Sequence, residues 1–334
     1  MKVIRPFKII GLGKFLPQNM VTNSQLEAQL KLTKGWIYKY TGVKTRYHVQ
    51  EETVSTMGAA ALQKALDDAK IKLGDLDMLI GAGATFDYIL PNRSSSIANQ
   101  FEESKDCKFP CIDINSTCLS FISALDFASY KLQDPEINTI AIVTSEVASK
   151  GLNSNNAETF SLFGDAAVAL IISSDSSGKT GLIRQTINTY TECNQDTIIK
   201  GGGVKYYPKY YPYNEELYSF QMNGKKLLRF TKSALPNFLD TFLSPINCKL
   251  QDIDFIIPHQ ASKLGLRLFA EHTNKYKKQN VVQGQLEKYG NCIAASIPLA
   301  FVESIQDGSI KPGDTCFMCG TAAGVSMGGV LIKY

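Results

Sequence analysis

The sequence predicts an α/β protein built from two similar halves, each a sheet covered by helices. Short β-branched runs alternate with alanine- and leucine-rich helical segments, which indicates mostly parallel, covered sheets. The second half repeats the first, because Leu76–Ile80 matches Ile253–Ile257 at a shift of 177 residues. In addition, the apolar residues of segment 119–132 leave almost no polar face, so they predict a helix buried nearly all round.

Composition excludes several classes of protein. Of the 334 residues, 44% are hydrophobic and 20% are charged, an ordinary globular balance with ample core. The net charge is +4 with no long basic run, which argues against nucleic acid as the main partner. The N-terminus lacks an apolar signal core, and no segment approaches the ~20 apolar residues of a membrane span. Eight cysteines in such a chain indicate reduced thiols, and we expect a cytoplasmic protein.

The first half, predicted as residues 1–174, begins with a strand over 7–12. Gly11 and Gly13 lie at its end. Leu16 stands where a dinucleotide-binding motif needs its third glycine, so we interpret the two glycines as a strand-end turn. The further elements predicted here are a helix over 56–69, a strand over 78–80, a helix over 94–101 and strands over 140–143 and 168–172.

A polar stretch over 173–178 is expected to join the halves, and the second half is predicted as residues 175–334. It opens with a tyrosine-rich segment over 206–213, which we interpret as a packed cap over the core rather than a nucleic-acid stacking surface. The elements predicted after it are helices from 225, 261 and 295, a strand over 254–257 and a closing strand pair near 317 and 330–332.

Cys118 is the candidate nucleophile. It ends the run Cys111–Cys118, where a β-branched strand gives way to small polar residues and then to the buried helix. At a helix start, free backbone N–H groups and the helix dipole would stabilise a thiolate. A buried structural cysteine is the alternative. The repeat adds a counterpart of this turn at Asn291–Ser296, so the strand ends of both halves are expected to meet at one site.

Two polar residues of the second half are candidates to face Cys118. His259 follows Pro258 at the carboxyl end of a strand, where α/β sheets bind ligands, and Asn291 lies just before a helix. His48 and His272 lie in polar surroundings and are expected to be solvated. The C-x-x-C pair Cys316 and Cys319 is flanked by residues typical of a buried strand, so no metal site is predicted there.

Cysteine, histidine and asparagine also form the papain-type protease triad, in the same order along the chain. The sequence lacks the Cys-Gly-x-Cys-Trp surround of that family, and a βα duplication is foreign to its fold. A protease is therefore set aside.

From residue 3 to 334 the sequence resembles the type III β-ketoacyl-acyl-carrier-protein synthases of the thiolase-like superfamily. The motifs that carry the resemblance are Trp36-Ile37 with Thr41-Gly42-Val43, Asn115-Ser-Thr-Cys118, Phe163-Gly164-Asp165, Met222-Asn223-Gly224, Pro258-His259-Gln260-Ala261, Tyr289-Gly290-Asn291 and Ala294-Ala295-Ser296-Ile297-Pro298. The resemblance implies a thiolase-like fold, in which two βαβαβαββ halves form a five-layered α-β-α-β-α sandwich.

The same resemblance implies an acyltransferase that performs a decarboxylative Claisen condensation. Cys118 would carry the acyl group as a thioester, while His259 and Asn291 would bind the thioester oxygen of a malonyl unit as it loses carbon dioxide. The backbone N–H groups of Cys118 and Ala323 would form the acyl oxyanion hole. Implied partners are acyl-coenzyme A or acyl carrier protein, malonyl-acyl carrier protein and a second copy of the chain, with no cofactor or metal beyond the thioester substrates.

The family's coenzyme A grip is only partly present. Trp36, the adenine-stacking residue, is kept, whereas three of the family's arginines map onto Tyr40, Ala157 and Leu264. Leu90 lies in a loop that, in the family, reaches into the acyl tunnel of the partner. The cationic residues expected to compensate are Lys39, Arg229, Lys263 and Arg267.

Two other functions remain open within this fold. One is a specialised relative that transfers acyl groups or joins two acyl chains outside housekeeping fatty-acid synthesis; retention of His259 and Asn291 favours condensation over plain transfer. The other is a non-catalytic subunit, which would be expected to lose Cys118. Acyl length, donor and pathway (fatty acid or secondary metabolite) do not follow from the sequence.

Overall fold

The computed structural model describes residues 1–273 and 280–334, in which strands and helices alternate along both halves. The strands are β1 Arg5–Phe15, β2 Met20–Thr22, β3 Thr45–Tyr47, β4 Met78–Ala82, β5 Cys111–Ile114, β6 Thr139–Glu146, β7 Ala166–Ser174, β8 Gly181–Thr189, β9 Thr197–Ile198, β10 Gln221–Met222, β11 Phe255–Pro258, β12 Asn280–Val281, β13 Thr315–Ala322 and β14 Ser326–Lys333. The helices are α1 Asn23–Gln29, α2 Trp36–Thr41, α3 Val54–Ala69, α4 Arg93–Ala98, α5 Ser120–Lys131, α6 Ala157–Phe160, α7 Glu215–Tyr218, α8 Gly224–Leu243, α9 Lys263–Thr273, α10 Gln285–Tyr289 and α11 Ser296–Gln306.

The large sheet consists of two equivalent five-stranded parts. Their strand orders are β5-β4-β6-β7-β1 and β12-β11-β13-β14-β8, and β1 joins β8 through only two residue pairs. Each part has two parallel and two antiparallel strand pairs. The prediction of mostly parallel sheets was therefore wrong. The chain returns from β6 to β7, and from β13 to β14, in the opposite direction instead of crossing over through a helix.

Matching hydrogen bonds mark the repeat. The Asp77 carboxylate accepts the Thr139 N–H at 2.9 Å, and the Asp254 carboxylate accepts the Thr315 N–H at 2.8 Å. These pairs link the start of β4 to β6, and the start of β11 to β13. Thr139 corresponds to Thr315 at a shift of 176 residues, one fewer than the shift of 177 between Asp77 and Asp254. The boundary between the two halves at residues 174 and 175 stays a prediction.

Apolar side chains divide the molecule into layers. Helices α5 and α11 lie between the two parts of the sheet, in one buried cluster with residues of β4, β6, β7, β13 and β14. Helix α3 covers the outer face of the first part, and α8 covers the outer face of the second. This gives the five-layered α-β-α-β-α thiolase-like sandwich. Within the described ranges, no helix has the length and apolar character that a membrane span requires.

The glycines of β1 are required by α3. A Cβ atom at Gly11 would lie 2.2 Å from the Ala65 carbonyl oxygen, and one at Gly13 would lie 2.0 Å from that of Ala61. Both glycines lie inside a strand that runs to Phe15, so their interpretation as a strand-end turn was wrong. Their missing side chains allow the helix backbone to lie directly on the strand.

Candidate functional site

A cavity of about 650 Å³ opens where the two halves meet. Its walls are mostly apolar, and Cys118, His259 and Asn291 all line it. The structure therefore brings together the three residues singled out in the sequence. Other side chains in its wall come from segment 190–222 and from α8 and α9; they include Ile198, Phe220, Leu227, Leu228, Phe238 and Phe269.

The nucleophile turn is held by its own polar side chains. The Asn115 side-chain oxygen accepts the Thr117 N–H at 2.9 Å, and the Ser120 hydroxyl accepts the Ser116 N–H at 3.0 Å. Thr117 has a φ of 50°, a strained left-handed conformation for a β-branched residue. Cys118 follows in a 3₁₀ turn over Thr117–Leu119, directly before α5.

The second half contains the same turn. The Asn291 side-chain oxygen accepts the Ile293 N–H at 2.9 Å, and the Ser296 hydroxyl accepts the Cys292 N–H at 2.9 Å. Ile293 has a φ of 49°, like Thr117. The predicted counterpart at Asn291–Ser296 is therefore found, with Ala294 at the position of the nucleophile.

His259 and Asn291 present neutral donors to the cavity. Burial lowers the pKa of His259 to about 4, so its imidazole is neutral near pH 7. Its backbone N–H donates to the Cys319 carbonyl at 2.7 Å, and a Cβ at Gly320 would lie 2.5 Å from the His259 Cβ, so glycine is needed there. The Asn291 amide donates to the Ala261 carbonyl at 3.3 Å and has a second N–H left.

The resting thiol of Cys118 is neutral. Burial, reinforced by the Glu146 carboxylate, raises its pKa to about 12, although the backbone N–H groups of Cys118 and Ala323 oppose this shift. The expected stabilisation of the thiolate by backbone N–H groups is therefore present, but desolvation outweighs it. Both N–H groups lower the pKa of the thiol, and their role as an oxyanion hole stays a prediction.

Alkylation of Cys118 should consequently keep accelerating with pH. Because its pKa is about 12, the thiolate fraction should rise about tenfold per pH unit between roughly pH 7 and 9, with no plateau. The measurement is the rate at which iodoacetamide modifies the Cys118 peptide, followed by mass spectrometry. A rate that levels off below about pH 8 would contradict the neutral resting thiol.

Glu146 is a buried residue near the nucleophile that sequence reasoning missed. Its carboxylate accepts the N–H groups of Ala84 and Thr85 at 2.7 and 2.9 Å, and also the Thr85 hydroxyl. Burial raises its pKa. Arg93 donates to the Thr85 carbonyl at 2.9 Å from the other side. The only available signal was one acidic residue at the end of a strand that is otherwise uncharged.

The residues expected to bind substrate lie outside the cavity wall. Trp36 is half-buried and packs against Tyr40, with ring centroids 4.5 Å apart. Lys263 begins α9, with its ammonium group 5.0 Å from the centre of the Tyr38 ring. Leu90 is 84% exposed on the loop after β4. Lys39 and Arg229 are exposed on α2 and α8.

Two expectations about aromatic and histidine side chains were wrong. Tyr210 and Tyr213 are 71% and 79% exposed, so the tyrosine-rich segment is not a packed cap. The cavity is lined instead by Ile198 and Phe220, on either side of that segment. His48 is half-buried, with Nε2 3.2 Å from the Phe163 carbonyl oxygen, and burial lowers its pKa. The tyrosines contribute little to the core because prolines and lysines interrupt the run.

Comparison with known proteins gives a consistent result. Residues 112–191 match the family model described as 3-oxoacyl-[acyl-carrier-protein] synthase III, and residues 243–334 match the model of its C-terminal part. The β-ketoacyl-[acyl-carrier-protein] synthase III of Vesicomyosocius okutanii is 32% identical over 328 residues, covering 98% of both chains. The Aquifex aeolicus protein of the same name is 29% identical over 327 residues, covering 98% of this chain and 99% of the relative.

Solved structures agree in fold. The crystal structure of 3-oxoacyl-[acyl-carrier-protein] synthase III from Aquifex aeolicus has a TM-score of 0.85 at 27% identity, covering 98% of this chain and all of that one. The priming β-ketosynthase of the R1128 polyketide pathway has a TM-score of 0.87 at 21% identity, covering 100% of this chain and 98% of that one. At that identity the second likeness concerns the fold alone.

Proposed function

Because the chain belongs to the β-ketoacyl-[acyl-carrier-protein] synthase III family of acyltransferases, we propose that it joins an acyl group to a malonyl thioester with loss of carbon dioxide. The observation that carries this proposal is the convergence of Cys118, His259 and Asn291 on one cavity. A thiol opposite two neutral N–H donors suits a thioester intermediate and an enolate. The β-ketoacyl product belongs to the synthesis of fatty acids or of related lipids and secondary metabolites.

In the first step the Cys118 sulfur forms a bond to the acyl carbonyl carbon of the incoming thioester. The donor's carbon–sulfur bond breaks, and the thiol proton of Cys118 leaves with the released donor thiol. The N–H groups of Cys118 and Ala323 stabilise the oxyanion that forms between these events. Because these donors are backbone N–H groups, their placement depends on the conformation of the turn and not on a side chain.

In the second step the malonyl thioester loses carbon dioxide, and its electron pair passes into an enolate. His259 and the free N–H of Asn291 donate to the enolate oxygen as negative charge develops. The enolate carbon then forms a bond to the acyl carbonyl carbon on Cys118, whose sulfur leaves and regains a proton. We propose no cofactor or metal, because decarboxylation itself supplies the carbanion.

The direct test is product formation. The protein is incubated with an acyl thioester and malonyl-acyl carrier protein, and the carrier is examined by mass spectrometry for a β-ketoacyl group. A specialised acyl transferase would instead move the acyl group without releasing carbon dioxide. Absence of both β-ketoacyl product and carbon dioxide, with Cys118 acylated, would overturn the condensing function in favour of that alternative.

We propose that carrier protein, rather than coenzyme A, delivers the acyl group. Tyr40 packs on the Trp36 ring, and Ala157 stands where an opposing guanidinium is expected. Losing one cation–π partner weakens adenine binding by up to about tenfold. The basic residues expected to meet the acidic carrier are Lys225, Lys226, Arg229, Lys263 and Arg267. Of these, Lys226 pairs with Asp196 and Arg267 pairs with Glu271, which leaves three cations without a carboxylate partner among the described residues.

We expect faster loading of Cys118 from acyl carrier protein than from acyl-coenzyme A bearing the same chain, with a rate that falls as salt rises. The charge reversal Lys225→Glu should slow loading from the carrier and leave loading from coenzyme A nearly unchanged. Both rates are read from the acyl adduct by mass spectrometry. Loading from coenzyme A that is equal or faster, and insensitive to salt, would refute the preference.

We also propose a homodimer in the cytoplasm. The loop after β4 exposes apolar side chains, with Phe86 53%, Ile89 70% and Leu90 84% exposed. Its base is fixed, because Asp87 accepts the Val54 and Ser55 N–H groups at the start of α3. A rigid apolar projection of this kind is typical of a self-complementary interface. All eight cysteines are free, as expected in a reducing compartment.

Sedimentation velocity at micromolar concentration should show a dimer. Ile89→Asp should shift the protein toward monomer, because a charge would be buried without a partner. The exposed change Lys209→Asp is a matched control that should leave the dimer intact. A wild-type monomer would contradict the proposal.

A further inference from the structure

The cavity contains a second asparagine side chain that is held in one orientation, and the proposed condensation mechanism does not use it. Asn115 lines the same cavity, and the repeat makes it the counterpart of Asn291. Both asparagines hold a backbone N–H through their side-chain oxygen, at 2.9 Å in each case. That bond fixes which end of the Asn115 amide remains free. Its NH₂ group donates to no other protein group among the described residues.

β5 precedes Asn115 and pairs with β4, so the residues that follow β4 lie beside Asn115. The Thr85 hydroxyl already donates to Glu146 at 2.6 Å and accepts the Val147 N–H at 3.0 Å. Ala84 and Val147, the other side chains of that wall, are apolar. A purely aliphatic chain that covered the Asn115 amide would strip it of water without replacing the hydrogen bond, which is unfavourable.

The acyl carbonyl oxygen next to the sulfur already has hydrogen-bond donors in the proposed mechanism. In the proposed mechanism the acyl carbonyl oxygen accepts hydrogen bonds from the backbone N–H groups of Cys118 and Ala323. His259 and Asn291 belong to the second half and serve the malonyl oxygen. The Asn115 donor is therefore available to a different acceptor, carried by the acyl chain itself a few bonds from its carbonyl.

We propose that Asn115 binds an oxygen at the third carbon of the acyl group on Cys118, so that the enzyme prefers 3-oxoacyl or 3-hydroxyacyl primers over plain acyl chains. This inference rests on the proposed function, because it takes Cys118 to carry an acyl group. One neutral hydrogen bond should favour the oxygenated chain by roughly threefold to tenfold in kcat/KM for loading.

The test compares hexanoyl and 3-oxohexanoyl thioesters of N-acetylcysteamine as donors to Cys118, with the adduct followed by mass spectrometry. The variant Asn115→Asp keeps the oxygen that accepts the Thr117 N–H but loses the NH₂ donor. We expect the ratio of kcat/KM for 3-oxohexanoyl over hexanoyl to fall to about one in this variant, because the added carboxylate near Cys118 slows both chains and loss of the NH₂ donor slows the 3-oxo chain further. Ser123→Ala is the control on α5 beside the turn, since the Ser123 hydroxyl hydrogen-bonds only to the Ser116 hydroxyl, at 2.8 Å.

Equal kcat/KM for the two chains in the wild type would overturn the inference and leave the proposed function standing. So would an Asn115→Asp variant that keeps the preference, or one that loses loading of both chains equally, because each would assign Asn115 to holding the turn alone. A wild type that forms no adduct with any acyl thioester, carrier-bound ones included, would overturn the proposed function first.

Discussion

Replacing Asn291 by aspartate is expected to abolish malonyl decarboxylation while Cys118 still accepts an acyl group. The Asn291 oxygen accepts the Ile293 N–H at 2.9 Å, and aspartate can keep that bond. It would lose the N–H that faces the enolate and bring a negative charge to the place where negative charge develops. Loss of one such donor costs about 3–4 kcal/mol of barrier, roughly a 10²- to 10³-fold fall in rate.

His259→Ala should likewise abolish malonyl decarboxylation and leave acyl loading of Cys118 intact, because it removes the other donor to the enolate. Asn214→Asp is the matched control, since Asn214 makes a similar turn with the Glu216 N–H at 2.9 Å but lies on the exposed segment. Release of labelled carbon dioxide measures decarboxylation, and the mass of the intact protein measures loading. Near wild-type condensation by either site variant would refute the roles assigned to these donors.

Cys118→Ala is expected to eliminate acyl uptake completely, with one acyl group per wild-type chain and the adduct on the Cys118 peptide. The thiol of Cys118 opens onto the cavity, whereas Cys292, Cys316 and Cys319 are at most 2% exposed. Burial raises the pKa of each of these three thiols strongly. Cys292 and Cys316 lie outside the cavity wall, and Cys319, which borders the cavity, is almost fully covered, so a donor reaches Cys118 more readily than any of the three.

Cys107→Ala is the control for a more accessible thiol. Cys107 is half-buried and its sulfur donates to the Glu103 carbonyl, so it can meet reagents without belonging to the cavity. This variant should load normally. An acyl adduct that persists in Cys118→Ala, or maps to the Cys107 peptide, would contradict the assignment of the nucleophile.

The parts of the fold that were predictable are those written in local sequence. Residues 119–132 gave a buried helix because their apolar side chains leave almost no polar face, and the repeat was visible because Asp77 and Asp254 keep the same short context. The small polar residues before Cys118 and the strand end before His259 marked the candidate site in the same way. Each of these signals is carried by short stretches of sequence that can be recognised without knowing their neighbours in the fold.

The features that could not be predicted depend on distant neighbours. Nothing around Gly11 and Gly13 tells that α3 lies on them, and nothing within β7 or β14 fixes their antiparallel direction. The pKa of Cys118 depends on how deeply the turn is buried, which the turn itself does not encode. Glu146 likewise acquires its hydrogen-bond donors, Ala84 and Thr85, only from the loop folded over it.

The duplicated turn has a consequence for how such a centre can arise. One half alone would carry either the cysteine or the histidine–asparagine donors, so it could perform neither full reaction. Two copies of an ancestral half, joined edge to edge as β1 joins β8, would already bring two asparagine turns into one cavity. After fusion the copies could diverge separately, with a thiol kept at 118 and an inert methyl group at Ala294.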